Sequence, residues 1–263
     1  MEIDQLFHQP PQEKEVERTR WRLKDLSEVI EWLKGVSEAG VAQILRRLGF
    51  SRKQAVAFIR SPDPEYQTKW QTLLTIREQI AEQTEEEEVL LYLDELTYYR
   101  RPSKAPAYWK CGHTQPRALE APRSNTQTRI VAALNHSTGQ VNYLQRSKIG
   151  KAALVAFYGQ LRKAYPQAKT IYVVQDNWPN HKLDEVLSAM KDNQIVPLFL
   201  PTYASWLNPI EKLWRWLKQE VIHLHPYAQD IEKLRKAVLN FLDRFQTGSS
   251  ALLTYTGIAR LNC

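Results

Sequence analysis

The sequence predicts an α/β protein: a mixed sheet with flanking helices, preceded by a small all-α helix-turn-helix unit. Three observations predict it. Paired amphipathic helices fit residues 22–48, a proline-rich break follows at Ser61-Pro62-Asp63-Pro64-Glu65, and from residue 89 onward short apolar runs alternate with helical periodicity. With 263 residues, 43% of them hydrophobic, the chain can bury a full core and still carry an accessory domain. The expected division is 1–60 for an incomplete helix-turn-helix or winged-helix-like domain, 61–84 for a linker helix and 85–263 for the α/β domain.

The first helices place Leu26, Val29, Ile30 and Leu33, then Val41, Ile44, Leu45 and Leu48, on either side of a turn at Gly35-Val36-Ser37. That spacing is also common in ordinary helical cores. Ser37 is placed to cap the second helix, which ends in Arg46 and Arg47, and Arg52 and Lys53 follow where phosphates could be met. In the break, Asp63 reads as an N-cap and Pro64 as the first residue of a helix whose stripe is Tyr66, Trp70, Leu73, Leu74, Arg77 and Ile80. A glutamate run, Glu85 to Glu88, closes the segment.

Val89 to Leu93 reads as a buried strand ending at Asp94. Strand-like runs Arg129–Asn135 and Gln140–Gln145, joined through Ser137-Thr138-Gly139, form a hairpin. There follow a helix over Lys151–Ala164, a strand over Ile171–Val174 leading into Gln175-Asp176, a helix over 181–191, a strand over Ile195–Leu200, and helices near 208–223 and 230–245. A hairpin beside helix-linked strands implies a mixed sheet covered on both faces. The last helical stripe, Ile231, Leu234, Val238, Phe241, Leu242 and Phe245, is core.

A net charge of +7 favours a polyanionic partner, and its distribution says more than its total. Between Leu96 and Gly150 nine basic residues, including Arg100, Arg101, Lys104, Lys110, Arg117 and Arg123, face one acid, Glu120. Interleaved with Tyr98, Tyr99, Tyr108 and Trp109, this stripe suits a DNA backbone, the alternative being a solvated basic loop. Cys111 and Cys263 lack C-x-x-C spacing, which argues against a disulfide framework and for a reducing cytoplasm. No apolar run reaches membrane-spanning length, so no membrane partner is expected. Cys111-x-His113 and His223-x-His225 are too far apart to read as a zinc site.

Asp94 and Asp176 directly follow apolar runs, the position where open α/β sheets gather ligands. Either alone could simply cap a turn. As a pair on neighbouring strands they would repel unless a cation lay between them. Glu211 sits in Trp206-Leu207-Asn208-Pro209-Ile210-Glu211, with Asn208 as N-cap and Glu211 at the third helical position, where a capping box is the structural alternative. It borders the apolar stripe and is expected to point toward the sheet edge rather than water. Three carboxylates without clustered Cys or His suit Mg²⁺ or Mn²⁺, and hence phosphoryl transfer assisted by two ions.

Three segments carry a resemblance to a known family: Leu91-Tyr92-Leu93-Asp94-Glu95; Val174-Gln175-Asp176-Asn177-Trp178-Pro179-Asn180-His181-Lys182; and Leu200 through Trp214, Leu-Pro-Thr-Tyr-Ala-Ser-Trp-Leu-Asn-Pro-Ile-Glu-Lys-Leu-Trp. They resemble the bacterial insertion-sequence branch of the mariner superfamily of DDE transposases, as does the spacing of 34 residues between Asp176 and Glu211. The resemblance implies a ribonuclease H-like core, a two-ion site on Asp94, Asp176 and Glu211, cleavage at inverted-repeat ends, and insertion at TA targets by a homodimer or higher multimer on double-stranded DNA. It places Asn177, His181 and Asn208 beside the acids, where they would orient carboxylates or a phosphate. A bacterial cytoplasmic protein, nucleoid-associated when bound to DNA, is expected.

The chain departs from that family in fitting one helix-turn-helix before residue 60 where two are usual, as a truncated chain or the second product of a split frame would. It also reads Tyr203-Ala204-Ser205-Trp206 where a Ser-Pro pair is more usual. Two other functions fit the same sequence: a non-catalytic DNA-binding protein derived from a transposon, and another ribonuclease H-like nuclease.

Overall fold

The computed structural model describes residues 2–53, 60–83, 87–122 and 125–260; Arg123, Glu85 and Glu86 lie outside the described residues. The chain divides into two compact units, Met1–Phe58 and Ile59–Cys263.

The first unit holds helices α1 (Glu2–Phe7), α2 (Leu23–Val29) and α3 (Glu38–Arg47), with a 3-10 turn at Glu31–Leu33. Ser37 caps α3 by accepting from the Gly40 amide at 3.2 Å. Gly35, at φ 77°, makes the turn between the helices, a conformation that a Cβ would disfavour. Leu26, Ile30, Leu33, Val41 and Leu45 form the core expected from the periodicity. Ile3 and Leu6 of α1 complete it, although that helix was not expected from so polar a segment.

The second unit begins with α4 (Tyr66–Glu82), then a five-stranded sheet of β1 (Glu88–Tyr99), β2 (Gln127–Asn135), β3 (Val141–Arg146), β4 (Thr170–Gln175) and β5 (Ile195–Phe199) in the order β3-β2-β1-β4-β5. The β1–β2–β3 part is antiparallel, while β4 and β5 continue from β1 in parallel. Helices α5 (Lys151–Ala164) and α6 (Asp184–Asp192) pack on one face. On the other lie α4, α7 (Ile210–Leu217), α8 (Ile231–Asp243) and α9 (Ser250–Thr256). Each strand of the parallel part is therefore apolar on both sides, as doubly covered strands require.

Two elements differ from expectation in ways that shape the site. The strand expected to stop at Asp94 continues to Tyr99, because β2 stays paired with it as far as Tyr99↔Gln127 while β4 leaves after Tyr92↔Val174. The helix expected as a linker is packed against the sheet: Leu73, Ile76 and Ile80 share a core with Leu90 and Tyr92. Arg77, also buried, lies over the rings of Trp70 and Tyr92 and donates from Nε to the Tyr92 hydroxyl at 2.8 Å. That hydroxyl also forms a hydrogen bond with His136 Nδ1, 3.0 Å away. Tyr92→Phe strips a partner from two buried groups at once, so urea unfolding is expected to show a loss of about 1–3 kcal/mol. A variant as stable as the wild type would mean that the chain Arg77–Tyr92–His136 is energetically idle.

Candidate active site

The register of the parallel strands explains how two aspartates distant in sequence become neighbours. Tyr92↔Val174 is the last pair of the β1–β4 ladder; Asp94 lies two residues further along β1, and Asp176 comes directly after the end of β4. Asp94 thus lies beyond the C-terminal edge of the parallel part, on the even-numbered face with Leu90, Tyr92 and Leu96, which α7 covers. Glu95, next to it, shares the opposite face with Leu91 and Leu93, under α5 and α6.

Asp94 is held in place by a residue of α7. The fully buried Trp214 donates from Nε1 to Asp94 Oδ2 at 2.8 Å. Burial first, and the charge of Glu211 second, push the Asp94 carboxyl up to about 7. A carboxylate so placed gains from a cation.

Glu211 lies at the start of the same helix, and the capping box that was the alternative for it is not formed. Pro209 occupies the N-cap position and Ile210 is the first helical residue, so no capping box occupies the Glu211 side chain. Asn208 instead reaches across to the sheet, donating from Nδ2 to the Leu93 carbonyl at 2.9 Å, while its Oδ1 accepts from the Ile210 amide at 3.4 Å. It therefore ties the start of the Glu211 helix to the residue before Asp94. The expectation that Glu211 turns away from water is corrected: it is exposed, because it sits on the outer margin of a helix whose Ile210, Leu213, Trp214 and Leu217 take the buried side. Crowding by the surrounding protein raises its pKa, Lys218 and Arg215 oppose that, and Asp176 adds to it.

Asp176 follows β4 directly. Its Oδ1 accepts from the Trp178 amide at 2.9 Å and lies 3.2 Å from His181 Nδ1, contacts that hold its carboxyl below the usual range despite partial burial. His181, in a 3-10 turn over Pro179–Lys182, is fully buried and also meets Glu95 Oε1 at 3.0 Å through Nε2. Burial opposes its protonation, but hydrogen bonds to Asp176 and Glu95 prevail and lift it to about 9. Asn177 donates to the Leu200 carbonyl at 2.6 Å and so anchors the loop that leads to Glu211.

Asp94 and Glu211 repel each other, as do Glu211 and Asp176. Even so, among the described residues no three His, Cys, Asp or Glu side chains stand close enough to form a ready-made metal cage. The three acids are gathered into one electrostatic neighbourhood rather than closed around a point. Their all-oxygen chemistry, the raised Asp94 and Glu211 and the unengaged Oδ2 of Asp176 fit a hard divalent cation. Glu95 and Trp214 had not been assigned to the site. The signal for Glu95 was a charged residue inside an otherwise apolar strand; for Trp214 it was its place three residues after Glu211 on the buried stripe.

The cationic residues are spread over several places. Arg46 and Arg47 are exposed in the last turn of α3, as are Arg52 and Lys53 after it. Lys104, Lys110 and Arg117 are exposed on the β1–β2 connection, Arg100 is half-buried, and Arg101 pairs with Glu120 at 2.8 Å.

Residues 89–235, more than half of the chain, match a family model described as DDE superfamily endonuclease. The chain belongs to that family. The chain is 27% identical over 230 residues to "Insertion element IS630 uncharacterized 39 kDa protein" of Shigella sonnei, an alignment covering 86% of the chain. It spans 65% of the length of that curated relative. Among solved structures it is similar to the Mos1 transposase paired-end complex with left transposon end, with a TM-score of 0.67, 16% identity, and coverage of 99% of this chain and 74% of that one. The Mos1 Strand Transfer Complex gives a TM-score of 0.65 at 16% identity, covering 99% and 74%. The chain thus has the ribonuclease H-like mixed sheet that the sequence resemblance implied. No helix among its described residues is long and apolar enough to cross a membrane.

Proposed function

We propose that this DDE endonuclease is a transposase that cuts DNA at the inverted-repeat ends of a mobile element and joins them to TA-containing target DNA. The observation that carries the reading is that Asp94 and Asp176 both stand just past the end of the parallel pairing of β1 and β4, with Glu211 electrostatically coupled to both. Asp94, Asp176 and Glu211 would hold two Mg²⁺ or Mn²⁺ ions, which when bound supply Lewis-acid activation of a water or 3′-hydroxyl and stabilise the leaving oxygen. The chain's own part is positional. Trp214 fixes Asp94, Asn208 fixes the helix carrying Glu211, and His181 fixes Asp176.

The helix-turn-helix unit, through Arg46, Arg47, Arg52 and Lys53, would grip the transposon end. The basic β1–β2 connection would follow the phosphate backbone in a homodimer or larger assembly, in the cytoplasm and on the nucleoid when bound. The relatives support this reading by their names: one is an insertion-element protein, and others are transposase complexes with transposon ends, one of them with Mn. The test is incubation of the full chain with duplexes ending in the inverted repeats that flank its gene, with Mg²⁺ or with a chelator. Nicking and joining that depend on Mg²⁺ and on the repeat sequence are expected. Binding without any metal-dependent cutting would instead make the protein a non-catalytic DNA-binding derivative, and preferential digestion of RNA–DNA hybrids would make it a different nuclease.

A further inference from the structure

We propose that Glu95 is a positioning residue for the metal site: through His181 it sets the rotation of the Asp176 carboxylate, leaving Oδ2 as the oxygen presented to a cation. The inference rests on the reading of Asp176 as a metal ligand, and it adds to that reading an acid on the opposite face of the sheet. Three observations carry it.

The first is the geometry of the bridge. His181 has both ring nitrogens turned to carboxylates, Nε2 to Glu95 Oε1 at 3.0 Å and Nδ1 to Asp176 Oδ1 at 3.2 Å, with the Asp176 carbonyl at 3.4 Å from the same Nδ1. Asp176 Oδ1 also accepts from the Trp178 amide, so one carboxylate oxygen carries both contacts while Oδ2 carries neither. A backbone hydrogen bond and an ion-pair contact on the same oxygen restrain the roll of the group.

The second is the contrast in burial along the bridge. The side chain of Asp176 is 55% exposed, that of Glu95 17% and that of His181 1%. A half-exposed aspartate on a loop has rotamer freedom of its own, and ordering it costs entropy at the moment a ligand binds. A buried imidazole does not share that freedom. Its ring is packed edge-on against Trp178 at 5.3 Å between centroids, and Glu95 holds its far side. The rigidity of the sheet is thereby passed to an exposed ligand through a hydrogen bond and an ion-pair contact.

The third is the position of the bridge in the sheet. Pairing between β1 and β4 ends at Tyr92↔Val174, and β1 then departs with β2. Beyond that point no ladder holds the two strand ends in register, yet Asp94 and Asp176 both lie there. The contact from Glu95 to His181 to Asp176 spans the divergence: Glu95 sits on β1 immediately after Asp94, and His181 follows β4. The alternation of a strand sends neighbouring residues to opposite faces. One acid of the pair Asp94-Glu95 is thus free to meet the cation while the other braces the partner aspartate from behind.

The test is Mn²⁺ binding to the full chain without DNA, followed by electron paramagnetic resonance of the free ion. The proteins compared are the wild type, Glu95→Ala, Glu95→Gln, His181→Asn, the Glu95→Ala/His181→Asn double variant, and Asp176→Ala. Loss of a group that orients a metal ligand typically weakens metal binding about 10–100-fold, and that loss is expected for Glu95→Ala and for His181→Asn. The double variant should be no weaker than the worse single one, because both break the same bridge. Glu95→Gln keeps an acceptor oxygen for the imidazole and should recover most of the affinity.

In the cutting assay, Glu95→Ala should need more Mg²⁺ for half-maximal rate while approaching the wild-type rate at saturation. Unchanged Mn²⁺ affinity in Glu95→Ala, or losses that multiply in the double variant, would overturn the proposal while Asp176→Ala still abolished binding. Should Glu95→Ala fold poorly, His181→Asn probes the same bridge from its middle. If Asp176→Ala binds Mn²⁺ as well as the wild type, the assignment of Asp176 as a ligand fails, and the role of Glu95 with it.

Discussion

Asp94→Asn is expected to abolish metal-dependent DNA cutting while making the metal-free protein more stable. Both effects have one origin. Asp94 is a crowded carboxylate facing Glu211, and its pKa is raised to about 7 from 3.8. Between those two values the folded chain binds a proton that the unfolded chain has released, so stability falls as pH rises. The penalty is absent below 3.8, grows through the interval and is complete above 7. A shift of about three units sets a ceiling of roughly 4 kcal/mol, of which a neutral, isosteric asparagine should return about 1–3 kcal/mol.

The gain should therefore be seen at pH 8 without metal and vanish at pH 4. Mg²⁺ should raise the wild-type melting temperature more than that of the variant, because a ligand stabilises only the state that binds it. Cutting should fall by about 10³-fold or more, as expected when a member of an interdependent catalytic group is removed. A variant that still cuts, or that melts below the wild type at pH 8 in chelator, would show that Asp94 is neither a metal ligand nor electrostatically strained.

Trp214 should give the largest loss of stability. It is fully buried in the core shared by α4, α7, α8 and the even face of β1, and its indole N–H is spent on Asp94. Trp214→Ala removes the largest of these side chains and leaves a cavity, an expected cost of about 3–5 kcal/mol by denaturant titration. Trp214→Phe keeps much of the packing but not the donor. Since that hydrogen bond lowers the pKa of Asp94, its loss should raise it further. Metal binding requires the deprotonated acid, so the onset of cutting should move to higher pH and recover in alkaline buffer. A pH–rate profile that superimposes on the wild type would deny the Trp214–Asp94 contact any functional weight.

Several features of this molecule were legible in its sequence because they are local. Helix α5 begins at Lys151 and ends at Ala164, as its apolar spacing predicts. The hairpin turn through Gly139 has the positive φ, 69°, that its Ser-Thr-Gly sequence suits. Ser37 caps α3 as expected. The acid trio could be named for a related reason: each acid stands at the end of a short run whose residue types announce a strand or a helix start.

Nothing local could say that β1 runs on to Tyr99, because its length is decided by a partner strand that begins only at Gln127, beyond a long connection. Nor could periodicity reveal that a helix after a proline-rich break would lie against the sheet, or that a polar N-terminal segment would supply Ile3 and Leu6 to a core.

The sequence by itself determined the order of strands and helices and which acids border their apolar runs, since these follow from backbone propensity and from the alternation of apolar and polar side chains. The tertiary structure alone decided what those acids face. The parallel pairing that ends at Tyr92↔Val174 brings Asp94 and Asp176 to the same sheet edge, β1 turns Glu95 to the other side to meet His181, and the buried stripe of α7 delivers the Trp214 N–H to Asp94 while leaving Glu211 exposed. The physical reason is range. Propensity acts over a few neighbouring residues, whereas desolvation and charge repulsion depend on whatever the fold brings within a few ångströms.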